Sequence, residues 1–498
     1  MLIGFIIRRS DAMTTPPLTR RCAVILSLVM TCAAGAGAAP TTDWAAIAKT
    51  DFQFTVDTFR KQHAGIAAGE LSVVAPFEAG TRLGQAEAAT VRTEQDYLRL
   101  MQRFISAFGD PHTGIDLHLQ TRGWTGLVLD QAAGGYRVVW SEPGWPNALP
   151  PAGAIAQQCD GVWTGTYLQT RVAPFMNRSV EYAATFSTLA RQMMLDLGLG
   201  WTPQQCVFTL PDGSRKRYDL PLHAVPAQLG REQVDAVLAH HRAAAKPVGV
   251  TPLGADKHWV GMPDFNGARS GAAYSALYPQ LAALPKSGWI VFDLRGNGGG
   301  DSSWGNRALR ALYGEAYAEQ LSAAGGTAKY LVANAASAAL LKHYIDAPEF
   351  ADSKADNQRD LLAVQTAMQA GAKLALVSGD AKAATLTDPT WPRPHGPRIA
   401  AVIDRSCFSS CMNFLQQLQA SGDSIVLGEP TIGYSPFGEI TTVALPSGRG
   451  TLRVPTAWFK TAQATREPFV PDIPYPGNMA DDAALMAWVN ATLDALKR

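Results

Sequence analysis

The sequence predicts an α/β fold, extended on its N-terminal side by a helical region and a small β module. Three observations carry this. Trp289-Ile290-Val291-Phe292-Asp293-Leu294, Ile399-Ala400-Ala401-Val402-Ile403 and Ser424-Ile425-Val426-Leu427-Gly428 are short, nearly unbroken apolar runs, the pattern of strands buried on both faces of a parallel sheet. The first two lead through turns into helical patterns at Trp304–Tyr313 and Ser410–Ala420. Upstream, apolar residues recur first at helical spacing and then in β-prone clusters punctuated by Pro and Gly.

Composition bounds the rest. The 498 residues carry 43 Lys+Arg against 42 Asp+Glu, with 47 % hydrophobic and 17 % charged residues. That is enough apolar material for sizeable cores and too much for a disordered chain. A net charge of +1 argues against a nucleic-acid binder, which needs a basic footprint. Six cysteines are too few to be the framework of so long a chain.

In chain order, residues 1–38 read as a secretory signal peptide. Arg20 and Arg21 precede an apolar run from Cys22 to Ala34, followed by Ala36-Gly37-Ala38 as an A-x-A end. The run is too short to span a bilayer, which takes about 20 residues, so no membrane span is expected after cleavage. Thr31 before Cys32 is unusual for lipidation, and a lipid anchor is not expected. The expected location is the periplasm or the exterior. The first 38 residues carry Arg8, Arg9, Arg20 and Arg21 against Asp11, so the mature chain is net −2.

Residues 39–114 form the predicted helical subdomain. Glu94 to Phe108 places Leu98, Leu100, Met101, Phe104, Ile105 and Phe108 at helical spacing, ending in the turn Gly109-Asp110-Pro111-His112. Residues 115–225 form the β module, with a hairpin signalled at Leu210-Pro211-Asp212-Gly213. Residues 226–254 read as a linker, and residues 255–498 as the α/β domain. Residues 315–396 read as Ala-rich helix with a loop at Thr387–Gly396, and Asp481–Leu496 as a closing amphipathic helix.

Export would leave Cys159, Cys206, Cys407 and Cys411, in a compartment that permits disulfides. Cys159–Cys206 would be a long-range staple and Cys407–Cys411 would close a small loop; four free buried thiols are the other reading. Their spacing is not that of a zinc site, and neither metal nor cofactor is expected.

Three stretches offer chemistry. Asp293-Leu294-Arg295-Gly296-Asn297-Gly298-Gly299-Gly300 lies at the C-terminal end of a buried strand, where α/β sheets bind ligands. A dinucleotide reading fails on spacing, because G-x-G-x-x-G counted from Gly296 ends on Asp301. Its backbone N–H groups suit an oxyanion hole, or the glycines merely form a flexible turn. Cys407-Phe408-Ser409-Ser410-Cys411 lies on a strand–turn–helix corner, where a serine is a nucleophile or a helix cap. His112 is a candidate base among nine histidines, since it follows a helix in a Gly/Pro-marked turn; His395, inside a Pro-rich loop, is the other so marked.

Together these stretches resemble the tail-specific (C-terminal processing) serine protease family, in its tricorn-like branch. Asp293-Leu294-Arg295-Gly296-Asn297-Gly298-Gly299-Gly300 is similar to the family's D-L-R-x-N-x-G-G, with Gly299-Gly300 as the paired glycines. Gly428-Glu429-Pro430-Thr431 is similar to the G-E-P-T that follows the nucleophile, and Gly109-Asp110-Pro111-His112-Thr113 to the G-D-x-H-T turn. The resemblance implies a ClpP/crotonase-like αββ core domain behind a helical subdomain and a degenerate PDZ-like module, the last suited to strand addition by a peptide. It implies Ser409 as nucleophile, with Ser410 the near competitor, and Gly298, Gly299 and Ser410 around the oxyanion. The lysine that Ser/Lys members keep after G-E-P-T is absent, since Gly433-Tyr434 stand there. The base then falls on His112, with Glu467 orienting it and Glu439 as a rival. The implied activity is hydrolysis of peptides or protein tails through a Ser409 acyl-enzyme. A non-catalytic relative that binds peptides or apolar ligands is the alternative, and a reactive Cys407 or Cys411 a third reading.

Overall fold

The computed structural model describes residues 42–118, 123–132, 134–224, 247–324, 327–379, 396–422, 424–461 and 468–496. The signal segment with Cys32, most of the expected linker, the Thr387–Gly396 loop up to His395, and Glu467 lie outside the described residues. Residues 43–498 cluster as one unit.

A six-stranded sheet forms the frame of the C-terminal part. Its order is Gly249–Gly254, Lys257–Gly261, Trp289–Asp293, Arg398–Ile403, Ser424–Gly428 and Ile473–Pro474. The first pair is antiparallel and the rest are parallel. The apolar runs are unbroken because both faces are covered. Ile290 and Phe292 point into a core shared with the helices Gly267–Ala282, Ser303–Tyr313 and Ser410–Ala420, while Trp289 and Val291 pack beneath the helix Asp482–Ala495. Of the apolar side expected for that last helix, Leu485, Val489 and Leu493 are fully buried, and Leu496 is exposed.

A five-stranded antiparallel sheet stands beside it, joining Gly114–Leu117, Gly450–Lys460, Ala328–Val332 and Leu374–Ser378, with Phe437–Ala444 paired to Gly450–Lys460. The expectation that residues 315–396 are helical is corrected here. Two of its segments, Ala328–Val332 and Leu374–Ser378, are strands that pair with each other, and the first also pairs with Gly450–Lys460. These pairings override an Ala-rich local preference for helix.

The N-terminal helices Trp44–Gln62, Ala64–Ala68, Leu71–Ala88 and Glu94–Ser106 share one core with the antiparallel sheet and the β module; Phe52, Phe59 and Phe104 belong to the same cluster as Leu129, Phe208, Phe437 and Val454. The last helix starts at a capping box, in which Thr93 accepts from the Asp96 N–H and Asp96 accepts from the Thr93 N–H. The β module is an antiparallel sheet in the order Leu127–Ala132, Gly135–Ser141, Ile155–Cys159, Gln205–Thr209 and Arg215–Asp219, with the helix Thr185–Gln192 against its first strand. Cys159 and Cys206 face each other across adjacent strands and are bonded, as are Cys407 and Cys411.

Candidate active site

Two parallel neighbours, Trp289–Asp293 and Arg398–Ile403, end side by side with Asp293 opposite Val402. The glycine-rich turn and the serine turn therefore leave the same sheet edge together. Buried polar groups fix both. Asp293 takes a two-bonded ion pair from Arg295, at 2.7 Å from Nε and 2.6 Å from Nη2, and Arg295 also reaches the Met479 carbonyl at 2.7 Å. The D-L-R residues thus anchor the turn rather than face a substrate. Asp404 ties the two turns to each other, accepting from the N–H groups of Gly296 at 3.1 Å and Ser406 at 2.9 Å. Burial pushes its carboxyl up to about 6 against those hydrogen bonds.

Ser409 sits immediately before the helix Ser410–Ala420, with φ 57° and ψ −124°. For a residue with a side chain this backbone costs about 1–3 kcal/mol. It occupies the capping position, but its side chain makes no capping bond, so the cap reading of this serine does not hold. Its neighbour is committed elsewhere. Ser410 is buried, its hydroxyl donates to the Gly300 carbonyl at 2.6 Å and accepts from Ser302 at 2.9 Å. Of the adjacent pair, only Ser409 keeps a hydroxyl free of hydrogen bonds among the described residues.

The glycine turn lies directly against it. A methyl group at Gly299 would fall 2.7 Å from Ser409 Cβ, 2.7 Å from the Phe408 carbonyl oxygen and 3.0 Å from the Ser410 nitrogen. Gly299 has φ 96°, a conformation open to glycine. Its N–H donates to Asn297 Oδ1 at 2.9 Å, so this expected oxyanion donor is engaged in the structure. The N–H groups of Gly298 and Ser410 make no hydrogen bond among the described residues, and Gly298 has open space around it.

His112 reaches the serine turn from the other sheet. It precedes the strand Gly114–Leu117, whose pairing with Gly450–Lys460 fixes its height. Its ring lies 4.7 Å from that of Phe408, the residue before Ser409. Nδ1 is buried without a hydrogen-bond partner. Burial lowers the imidazole below its ordinary value, although Asp110 and the Phe437 carbonyl pull it up. The lowering favours the neutral ring, the form a base requires.

The turn before His112 rests on a buried chain of hydrogen bonds that sequence reading did not find. The Gly65 N–H donates to His63 Nδ1 at 3.1 Å, so the other ring nitrogen carries the proton. His63 Nε2 then donates to Thr113 Oγ1 at 2.8 Å, and Thr113 donates to Asp110 Oδ2 at 2.6 Å. Asp110 also accepts from the His112 N–H at 3.3 Å. Burial raises the Asp110 carboxyl, but His112, Ser435 and Thr113 outweigh it and hold the group below the usual range. His63 is pulled down to about 4, chiefly by burial. A lone histidine at a helix end, with no motif around it, gave no signal.

Glu439, the rival orienting carboxylate, has φ 49° and hydrogen-bonds Lys329 at 2.8 Å. Burial raises it, while Lys329, Tyr344 and, more weakly, His112 bring it below the ordinary glutamate value. It is thus electrostatically coupled to His112, with its main partner on the unexpected strand Ala328–Val332. Among the described residues, no group of three His, Cys, Asp or Glu is arranged to hold a metal ion.

Residues 259–474 match the sequence profile of peptidase family S41. Among solved structures, mature CPAF complexed with lactacystin superposes with a TM-score of 0.63 at 13 % identity, covering 91 % of this chain and 99 % of that one. Mature CPAF gives 0.60 at 13 % identity, with 91 % and 98 % covered. At such identity the likeness is one of fold. No curated protein matches the chain in sequence.

Proposed function

Through residues 259–474 the chain belongs to peptidase family S41 and is a serine-type peptidase, and from that premise we propose that Ser409 is its nucleophile and His112 its base. Ser409 Oγ attacks a peptide carbonyl carbon while its proton passes to His112. The C–N bond then breaks and the proton goes to the leaving amine. Water releases the acyl group by the same steps in reverse order of roles. In this mechanism the free N–H groups of Ser410 and Gly298 donate to the developing oxyanion, and Gly299 joins them if Asn297 releases it. Losing one such donor typically costs about 10²–10³ in rate.

The observation that carries this reading is the division of labour between adjacent serines: Ser410 is buried in hydrogen bonds, while Ser409 is held at positive φ with a free hydroxyl, next in the chain to Phe408, whose ring meets that of His112. Peptides or unfolded protein tails are the substrates it suits. Two disulfides fit an oxidising compartment, which supports export by the N-terminal segment. The β module, in our reading PDZ-like, would present a strand edge to such a chain.

The test is labelling by a fluorophosphonate, with the modified residue mapped by mass spectrometry. Ser409→Ala is expected to abolish both labelling and peptide hydrolysis while the circular dichroism spectrum is retained. Turnover that survives in Ser409→Ala would sink the assignment.

A further inference from the structure

We propose that the disulfide between Cys407 and Cys411 is a positioning device for Ser409, making hydrolysis conditional on an oxidised loop. The inference rests on Ser409 being the nucleophile.

The bond closes a ring around Phe408, Ser409 and Ser410. At its centre is one of only three described non-glycine residues with positive φ. Such a backbone persists where its surroundings over-determine it. The Ser409 side chain contributes nothing to this, since its hydroxyl is unbonded. What remains is the Ser410 hydroxyl, bonded to Gly300 and Ser302, and a few backbone hydrogen bonds on either side. Phe408 N–H reaches the Asn297 carbonyl at 3.2 Å, Cys411 N–H the Phe408 carbonyl at 3.2 Å, and Met412 N–H the Ser409 carbonyl at 2.9 Å. Two of these are long, and none spans the ring as the sulfur bridge does.

The sulfurs themselves do no chemistry. Cys407 and Cys411 are fully buried, in a cluster with Met412, Phe414 and Leu415, on the core side of the turn. Their effect passes through the backbone between them. Reduction by a dithiol breaks the S–S bond, which takes up two electrons and two protons to leave two thiols, while the dithiol becomes its own disulfide. Two thiols need van der Waals separation, and a close-packed interior grants it only if the turn moves. On the opposite side the turn meets Gly299, with no clearance for even a methyl group. A displacement of the nucleophile by about 1 Å is enough to cost roughly a hundredfold in rate.

The experiment uses the full mature chain and the same fluorophosphonate. Cys159→Ala/Cys206→Ala leaves the loop disulfide as the only one. On titration with dithiothreitol, Ser409 labelling is expected to slow by about a hundredfold, in step with the fraction of Cys407–Cys411 found reduced by mass spectrometry. KM for a peptide should stay within threefold while kcat falls, because the bond holds the nucleophile rather than the substrate. Oxidised glutathione should restore the rate. Cys407→Ala/Cys411→Ala, with unchanged circular dichroism, is expected to show the same kcat loss without any reductant, and either route decides alone. A reduced or substituted loop that labels within about threefold of the oxidised one overturns the proposal. Label found on a residue other than Ser409 in the oxidised protein overturns the nucleophile instead, so the two failures are distinct.

Discussion

At the scale of single residues, His63 has the clearest measurable consequence. Its folded value is about 4 against an ordinary 6.5. Between those limits the unfolded chain binds a proton that the folded chain refuses. Stability is therefore full above about pH 6.5 and falls as pH drops towards 4. The shift corresponds to on the order of 3 kcal/mol. Denaturant unfolding across that interval should show the loss, and His63→Gln should flatten the slope by about one proton. An unchanged slope in the variant would remove His63 from the account. Nothing in the sequence marked this residue, because its role depends on Thr113 and Asp110, some fifty positions away. Ser409 and His112 stood out as candidates because short motifs carry them. The free hydroxyl that distinguishes Ser409 from Ser410 did not, since it depends on Gly300 and Ser302 consuming the neighbour.

At the scale of elements, the parallel strands were readable and two antiparallel ones were not. Strands covered on both faces announce themselves as apolar runs. Ala328–Val332 instead carries Lys329, half-buried and paired with Glu439 and Asp360, a charge that makes the stretch look like a solvated helix. Its strand state exists only because of partners far along the chain. The glycine turn yields a prediction at this scale. Gly299→Ala should slow Ser409 labelling by about a hundredfold, since the added methyl strikes the Phe408 carbonyl and Ser409 Cβ. Gly298→Ala, with open space around it, should change the rate by less than about tenfold. Equal effects of the two substitutions would refute the close-approach argument.

At the scale of the whole molecule, Arg405 joins parts that the sequence reading kept separate. It lies four residues before Ser409 and binds Glu429 through two nitrogens, at 3.1 and 3.0 Å. The same guanidinium reaches Asp130 at 3.0 Å and also Ser187, both in the β module. Arg191 adds a second bond to Asp130 at 2.7 Å. A double-mutant cycle of Arg405→Ala and Asp130→Ala should give a coupling of about 1–2 kcal/mol for this half-buried contact. Zero coupling would mean that the β module and the serine turn meet without mutual support. The antiparallel sheet has a consequence for the order of assembly. The strand that seats His112 pairs with residues close to the far end of the chain, a contact of high sequence separation and hence a late one in folding. A chain emerging from the ribosome holds its histidine turn long before it holds the place for it. On the proposed roles of Ser409 and His112, a chain cut before Gly450 lacks the strand that seats the histidine turn and is expected to hydrolyse nothing.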